Sequence, residues 1–304
     1  MKFSVKSIIA ASKPSLRWVI FGGICFFVIQ TLQAHWQKVA TTTPENIDWG
    51  YLAIALLVTL LAHCWTGWVW GWILAFLGHS VTPRWSIRIY LITNIAKYIP
   101  GNIWHFYGRI RAAKEREIPL AIATVSILLE PLLLVAAAIV WALFSYPQFN
   151  PGWQFLVLSG VLIGIHPILL NPALAIAAKL KGKSKEMATA KSQFRVRSYP
   201  FLPLLGEFIF LGLRGGGFLM VILALYPLEF GQLPQLFGAF IIAWLLGMVI
   251  PGSPGGIGVF EGTAITLLQG KYVIAIAFYR LIGTLAEALG AAIAFLSQQR
   301  FMSK

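Results

Sequence analysis

Two apolar stretches of this chain stop at an Ile-Pro-Gly, and cations flank the first stop. That segment reads Lys97-Tyr98-Ile99-Pro100-Gly101-Asn102, continues through Ile103, Trp104 and His105, and reaches Gly108-Arg109. Helix-like sequence resumes at Ile103, so the first amides of the new helix point toward the break. Free amides beside Lys97, His105 and Arg109 are what an anionic phosphate requires. The second segment reads Val249-Ile250-Pro251-Gly252-Ser253-Pro254-Gly255-Gly256-Ile257-Gly258, with Glu261 on the helix that resumes after it. Gly255 and Gly256 leave bare backbone that a ligand can approach closely. Glu261 has two readings. It is an acid favoured by the dipole at a helix start, or it is a midplane counter-charge for Lys97 or Arg109, or a proton site. The other features also have plainer readings. Arg109 fits a basic run extending to Arg116, His105 fits packing, and the glycine tip fits a tight turn between half-helices.

The elements that must position these residues are helices in a membrane. The 304 residues are 58% hydrophobic and only 11% charged, whereas soluble domains carry about 25% charged residues. A spanning helix needs about 20 mostly apolar residues. Six runs meet that need: Trp18–Gln33, Gly50–Leu77, Pro119–Ser145, Trp153–Ala178, Phe201–Tyr226 and Tyr272–Ser297. The expectation is an all-α polytopic bundle forming one integral membrane domain over residues 1–304. Lys2, Lys6, Lys13 and Arg17 before the first run imitate a secretory signal. Gln30-Thr31-Leu32-Gln33 offers no small-x-small cleavage site, so the run reads as an uncleaved first helix.

Charge sets the topology. With the N-terminus inside, the inner segments hold Arg84, Arg88, Arg109, Arg111, Lys114, Arg116, the run from Lys179 to Arg197, Arg300 and Lys304. The outer loops hold only Lys38 and Lys271, with acidic Glu45, Asp48 and Glu229. Positive residues concentrate on cytoplasmic loops. The pattern satisfies that rule only if 87–110 enters from the cytoplasm and returns, and 236–270 does the same from outside. Two re-entrant hairpins of opposite orientation follow, with both termini cytoplasmic and the chain in a cell membrane, the bacterial inner membrane being expected. Broken apolar segments in corresponding positions of two halves mark inverted-repeat transporters, with the site near the midplane. The competing reading is two ordinary helices kinked at Pro.

Apart from Arg88 and Arg109 at the ends of the first hairpin, the charges within these helices and hairpins are Lys97, Glu130, Glu207, Arg214, Glu261, Arg280 and Glu287. Unpaired, they would cost on the order of 20 kcal/mol. They must therefore pair, face water or lie near an interface. Glu207 with Arg214, and Arg280 with Glu287, each share a helical face two turns apart, which suits ion pairs with neighbouring elements. Trp65, Trp68 and Trp72 share another face and read as packing or an interfacial belt. Gly67 and Gly71 form a GxxxG pattern that marks close helix contact. Cys25 and Cys64 imply no disulfide, and the five histidines are scattered, so neither a metal nor a cofactor is expected. No P-loop is present to use ATP. The net charge of +14 follows from the loops, and no RNA-binding signature or basic helix points to nucleic acid.

The strings KYIPGNIWHFYGR and IPGSPGGIGVFEG resemble the two signature segments of the lysylphosphatidylglycerol synthase transmembrane-region family, also called flippase-like. Glu130 in Leu128-Leu129-Glu130-Pro131 and Arg280 in Phe278-Tyr279-Arg280-Leu281 are similar to further family positions. The resemblance implies lipid translocation. Longer members add a soluble domain that makes an aminoacylated phospholipid. Here Met302-Ser303-Lys304 follow the last helix, so the transferase reaction is not expected to carry over. The expected substrate is a phospholipid or an isoprenoid-phosphate lipid, its head group lying between the two tips. Pro100, Gly101, Asn102, His105, Gly255 and Gly256 would surround it. Lys97 and Arg109 would hold the phosphate, Glu261 would gate or couple to protons, and Glu130, Arg214 and Arg280 would act as supporting charges. Two alternatives stand. One is a membrane-embedded lipid-phosphate enzyme using His105 and Glu261 as acid and base. The other is a non-transporting subunit that docks a separate transferase.

Overall fold

The computed structural model describes residues 47–99, 103–145, 150–169, 171–172, 196, 198–250 and 254–302. Every regular element among them is helical. In chain order they are α1 (Trp49–Phe76), α2 (Pro83–Asn94) with a 3₁₀ turn at Ile95–Tyr98, α3 (Trp104–Lys114), α4 (Leu120–Ser145) and α5 (Pro151–Gly164). Then come α6 (Phe201–Leu225), a 3₁₀ turn at Phe230–Gln232 leading into α7 (Leu233–Val249), α8 (Val259–Leu267) and α9 (Val273–Met302). Among the described residues, five helical segments are long and apolar enough to cross a membrane: Trp49–Phe76, Leu120–Ser145, Phe201–Leu225, Phe230–Val249 and Val273–Ser297.

Local chemistry sets the helix ends. The Asp48 carboxylate accepts from Gly50 N at 2.9 Å and Tyr51 N at 3.3 Å, capping α1. Asn150 caps α5 by accepting from Gly152 N at 2.8 Å, with Pro151 in the first helical position. Pro83 opens α2 in the same way.

Expected spans and observed helices agree closely for Gly50–Leu77, Pro119–Ser145, Phe201–Tyr226 and Tyr272–Ser297. Two differ. The run Trp153–Ala178 forms α5 only as far as Gly164, and a turn at Ile165–His166 interrupts it. Pro167 explains the break, because proline lacks the helical N–H and disfavours helix in the residue before it. Residues 173–195 lie outside the described set. The segment Leu236–Ile250, expected as the entering arm of the 236–270 hairpin, also differs. Joined to its 3₁₀ turn it is a 20-residue apolar unit, long enough to cross by itself. The expected first helix Trp18–Gln33 also lies outside the described residues, as do Pro100, Gly101, Asn102 and Pro251, Gly252, Ser253.

The bundle is built on α1 and α6, which run antiparallel: Asp48 N donates to Ala224 O at 2.9 Å, and Val69 lies against Gly206. A Cβ on Gly206 would sit 2.6 Å from Val69 Cγ2, and one on Gly217 would sit 2.8 Å from Thr59 Oγ1. These contacts need glycine, as close approach of membrane helices does. The Gly67/Gly71 pair does the same against α2, where added Cβ atoms would lie 2.9 Å from Ile87 Cα and 2.8 Å from Ser86 Oγ. On the same helix Trp65, Trp68 and Trp72 form a three-way edge-to-face cluster with centroids 5.2–5.6 Å apart. Trp65 Nε1 reaches across to Gly206 O at 2.8 Å. Phe218, Phe240, Phe260 and Tyr279 bring α6, α7, α8 and α9 together through ring contacts of 5.3–6.0 Å. Large apolar side chains such as Leu57, Leu61, Phe155, Phe201 and Ile293 point outward and exposed, as a surface facing lipid requires.

Candidate functional site

After each break the resumed helix packs back on the one before it. A Cβ on Gly108 of α3 would lie 2.8 Å from Thr93 Cγ2 of α2. In the second segment, one on Gly256 would lie 2.9 Å from Gly247 O. Gly255, Gly256 and Gly258 have φ of 61°, 73° and 87°, a region that glycine enters without penalty. The two breaks also touch each other: a Cβ on Gly255 would sit 3.3 Å from the Tyr98 ring.

One face of α9 ties the breaks together. Arg280, Gly283, Thr284 and Glu287 recur at helical spacing and so share that face. Arg280 Nε donates to Glu261 Oε1 at 2.5 Å, and its Nη1 donates to Gly255 O at 3.1 Å, both in the second segment. Thr284 Oγ1 lies 3.2 Å from Tyr98 OH, and Glu287 Oε1 accepts from Lys97 Nζ at 2.5 Å, both in the first. His63 Nε2 of α1 approaches the same Glu287 oxygen at 3.3 Å.

Around these contacts lies a cavity of about 370 Å³, within the size range of small-ligand sites. Its wall includes Lys97, His105, Arg109, Gly255 and Gly256 from the expected binding set, and Glu130, Arg214 and Arg280 from the expected supporting charges. Pro100, Gly101 and Asn102 fall outside the described residues. The wall also includes His63, Tyr90, Asn94, Tyr98, Thr284 and Glu287. None of these six was expected to line a site. For Glu287 the signal was its spacing from Arg280. For His63 it was only a histidine within an apolar run.

Pairing departs from expectation at Glu261. It is not a counter-charge to Lys97 or Arg109. Its Oε1 takes Arg280, and its Oε2 accepts from Gly258 N at 2.6 Å. The carboxylate thus caps α8 and neutralises a cation on α9 together. Arg109 is 2% exposed and bonded to Glu130, with its guanidinium 4.7 Å from the Tyr90 ring centroid and 5.4 Å from Phe106. Lys97 is engaged by Glu287. Both cations expected to hold phosphate therefore already have carboxylate partners. Removing one member of such a buried pair costs about 3–5 kcal/mol, because the other is left uncompensated.

Arg280 and Glu287 do form ion pairs with neighbouring elements. The Glu207–Arg214 pair of positions behaves differently. Glu207 is fully buried, and neither of its oxygens has a hydrogen-bond partner among the described residues. Arg214 is 7% exposed, stacks 5.1 Å from the Tyr279 ring and places Nη1 3.4 Å from His63 Nε2. No carboxylate among the described residues comes within ion-pair distance of it. Of the proposed acid and base, His105 lines the cavity, while Glu261 is held by Arg280 and the α8 amide.

No protein-family model matches the chain, and no curated protein matches it significantly.

Proposed function

We propose that this protein translocates an anionic lipid across the membrane, with the head group passing through the cavity between the two broken segments while the acyl or isoprenoid tails stay in the bilayer. The observation that carries this reading is the polar cavity itself. It lies inside a bundle whose outer surface is apolar, and four cations line it: Lys97, Arg109, Arg214 and Arg280. Buried cations are expensive in a membrane and mark substrate paths. Non-helical backbone at membrane depth is tolerated where it lines such a cavity.

In this reading the segments 87–110 and 236–270 are re-entrant hairpins of opposite orientation set among the full spans, with both termini cytoplasmic. The lopsided Lys and Arg distribution supports that arrangement. So does the packing of each resumed helix on its predecessor. The likeness of the two break strings to the flippase-like lysylphosphatidylglycerol synthase transmembrane region points to the same activity. The paired charges form the walls: Lys97–Glu287 and Arg280–Glu261 hold the two breaks against α9, and exchange of these partners would open the path to one side or the other.

The test is transport by the purified chain in proteoliposomes. A fluorescent phosphatidylglycerol placed in the inner leaflet should become accessible to a membrane-impermeant quencher far faster than in protein-free vesicles. Equal rates with and without protein would refute the reading.

A further inference from the structure

Among the described residues, one cation of the cavity has no carboxylate within ion-pair distance. Lys97 is matched by Glu287, Arg109 by Glu130 and Arg280 by Glu261. Among the described residues, the Arg214 guanidinium meets His63 and the Tyr279 ring. Its Nε is buried and has no hydrogen-bond partner among the described residues, and Arg280 Nη2 is in the same state. Orphaned donors on a guanidinium that is more than nine-tenths buried are costly, so a ligand that satisfies them is strongly favoured.

Geometry shapes the place for that ligand. Gly283 stands one turn after Arg280 on the α9 face that lines the cavity. A Cβ there would sit 3.8 Å from both Nη1 and Nη2 of Arg214, so glycine keeps larger side chains away from this guanidinium edge. The Tyr279 ring fixes the plane of Arg214, and Tyr279 OH donates to the Arg214 carbonyl at 3.3 Å. Phe260 fixes Arg280 in the same manner, with its ring 5.2 Å away. Two partly unsatisfied guanidiniums lining one cavity present the planar forks that match phosphate oxygens.

We infer that Arg214, aided by the free edge of Arg280, is the anion-holding residue of this cavity, and that the anion it takes is a phosphodiester monoanion. This rests on the translocation reading above and narrows it. Lys97 and Arg109 then line the cavity without holding the anion, their charges already neutralised by Glu287 and Glu130. The preference for a diester follows from the local balance. One unmatched cation neutralises one negative charge. A phosphate monoester carries about −1.5 to −2 at neutral pH, and its excess charge would be buried without a partner. A phospholipid of the diester class therefore fits, and an isoprenoid monophosphate does not.

Binding to the purified full chain in detergent tests this, read by titration calorimetry with three probes: dihexanoyl phosphatidylglycerol, dihexanoyl phosphatidic acid and inorganic phosphate. The diester lipid should bind wild type at least tenfold more tightly than the monoester lipid, and inorganic phosphate should bind weakest. Arg214→Gln should weaken diester binding at least tenfold. Arg214→Lys, which keeps the charge but loses the fork, should fall between. Thermal unfolding of each variant accompanies the titrations, and Arg214→Lys carries the test if Arg214→Gln does not fold. Wild-type affinity for the diester in both variants would overturn the Arg214 assignment and leave the translocation reading standing. Tighter binding of the monoester would overturn the diester preference. Binding of inorganic phosphate as tight as that of either lipid would show a free-anion site, overturning the lipid reading. Absence of binding by all three probes would overturn the inference and its parent together.

Discussion

The ion pair between Lys97 and Glu287 makes the sharpest energetic prediction. It joins the first broken segment to α9 across 190 residues of sequence, at 2.5 Å. The Glu287 side chain is 4% exposed and that of Lys97 is 21%. Lys97→Met removes the cation and leaves Glu287 buried, with only His63 within ion-pair distance. The cost expected is about 3–5 kcal/mol, as for an uncompensated buried charge. Glu287→Met should cost about 2–3 kcal/mol, less because Lys97 keeps some access to the aqueous cavity. The double substitution leaves no uncompensated charge at this pair and fills the space with apolar side chains of similar length. Its loss should be no more than about 2 kcal/mol, since replacing a buried pair by packed apolar groups is often neutral. A coupling of at least about 3 kcal/mol follows. The assay is equilibrium unfolding in mixed micelles, followed by circular dichroism, for wild type, both single variants and the double variant. A double-variant loss equal to the sum of the single losses would refute the pairing and the bridge between the first break and α9.

Three further outcomes follow from the same structure. In a chain with Cys25 and Cys64 replaced by alanine, single cysteines at Lys114 and Lys185 should both resist a membrane-impermeant thiol reagent in intact cells, and labelling of either would rule out a cytoplasmic return of the first hairpin. Glu261→Gln should reduce both transport and stability, the latter by about 2–4 kcal/mol because Arg280 loses its counter-charge; unchanged unfolding would show that Glu261 only caps α8, a contribution of about 0.3–1 kcal/mol. Gly206→Val should destabilise the α1–α6 contact by about 2 kcal/mol or more, since even its Cβ would meet Val69; a fold loss below about 0.5 kcal/mol would mean the two helices are not packed at that point.

Much of the architecture is legible in sequence because hydrophobic length is a local property. Four expected spans match α1, α4, α6 and α9 to within a few residues, apart from the C-terminal continuation of α9. Before both Ile-Pro-Gly stops the helical turns end, at Tyr98 and Val249, and Ile99 and Ile250 are extended, as residues preceding proline prefer. The Gly67/Gly71 pair announces a close contact, although not that α2 supplies the other side. Pro167 lies inside the apolar run Trp153–Ala178, and α5 ends before it at Gly164. Charge pairing was far less legible, because it depends on which elements fold together. Arg280 and Glu287 share a face by simple periodicity, but that they reach different breaks depends on how both breaks pack against α9. The Glu130 partner of Arg109 lies 21 residues away, on a separate helix with no local signal joining the two. Arg214 was visible as one more charge among apolar residues. Its unmatched state emerges only when the partners of the other cations are known.

The central claim is that a lipid head group enters the cavity between the two broken segments. Photocrosslinking locates it directly, using phosphatidylglycerol with a photoreactive group on its glycerol head and the purified chain in lipid discs, with adducts mapped by mass spectrometry. Adducts are expected on cavity residues, Tyr98, Trp244 and Thr284 foremost, with their loss in Arg214→Gln. Adducts confined to outward-facing residues such as Leu57, Leu61 and Leu246, unchanged by that substitution, would contradict that claim.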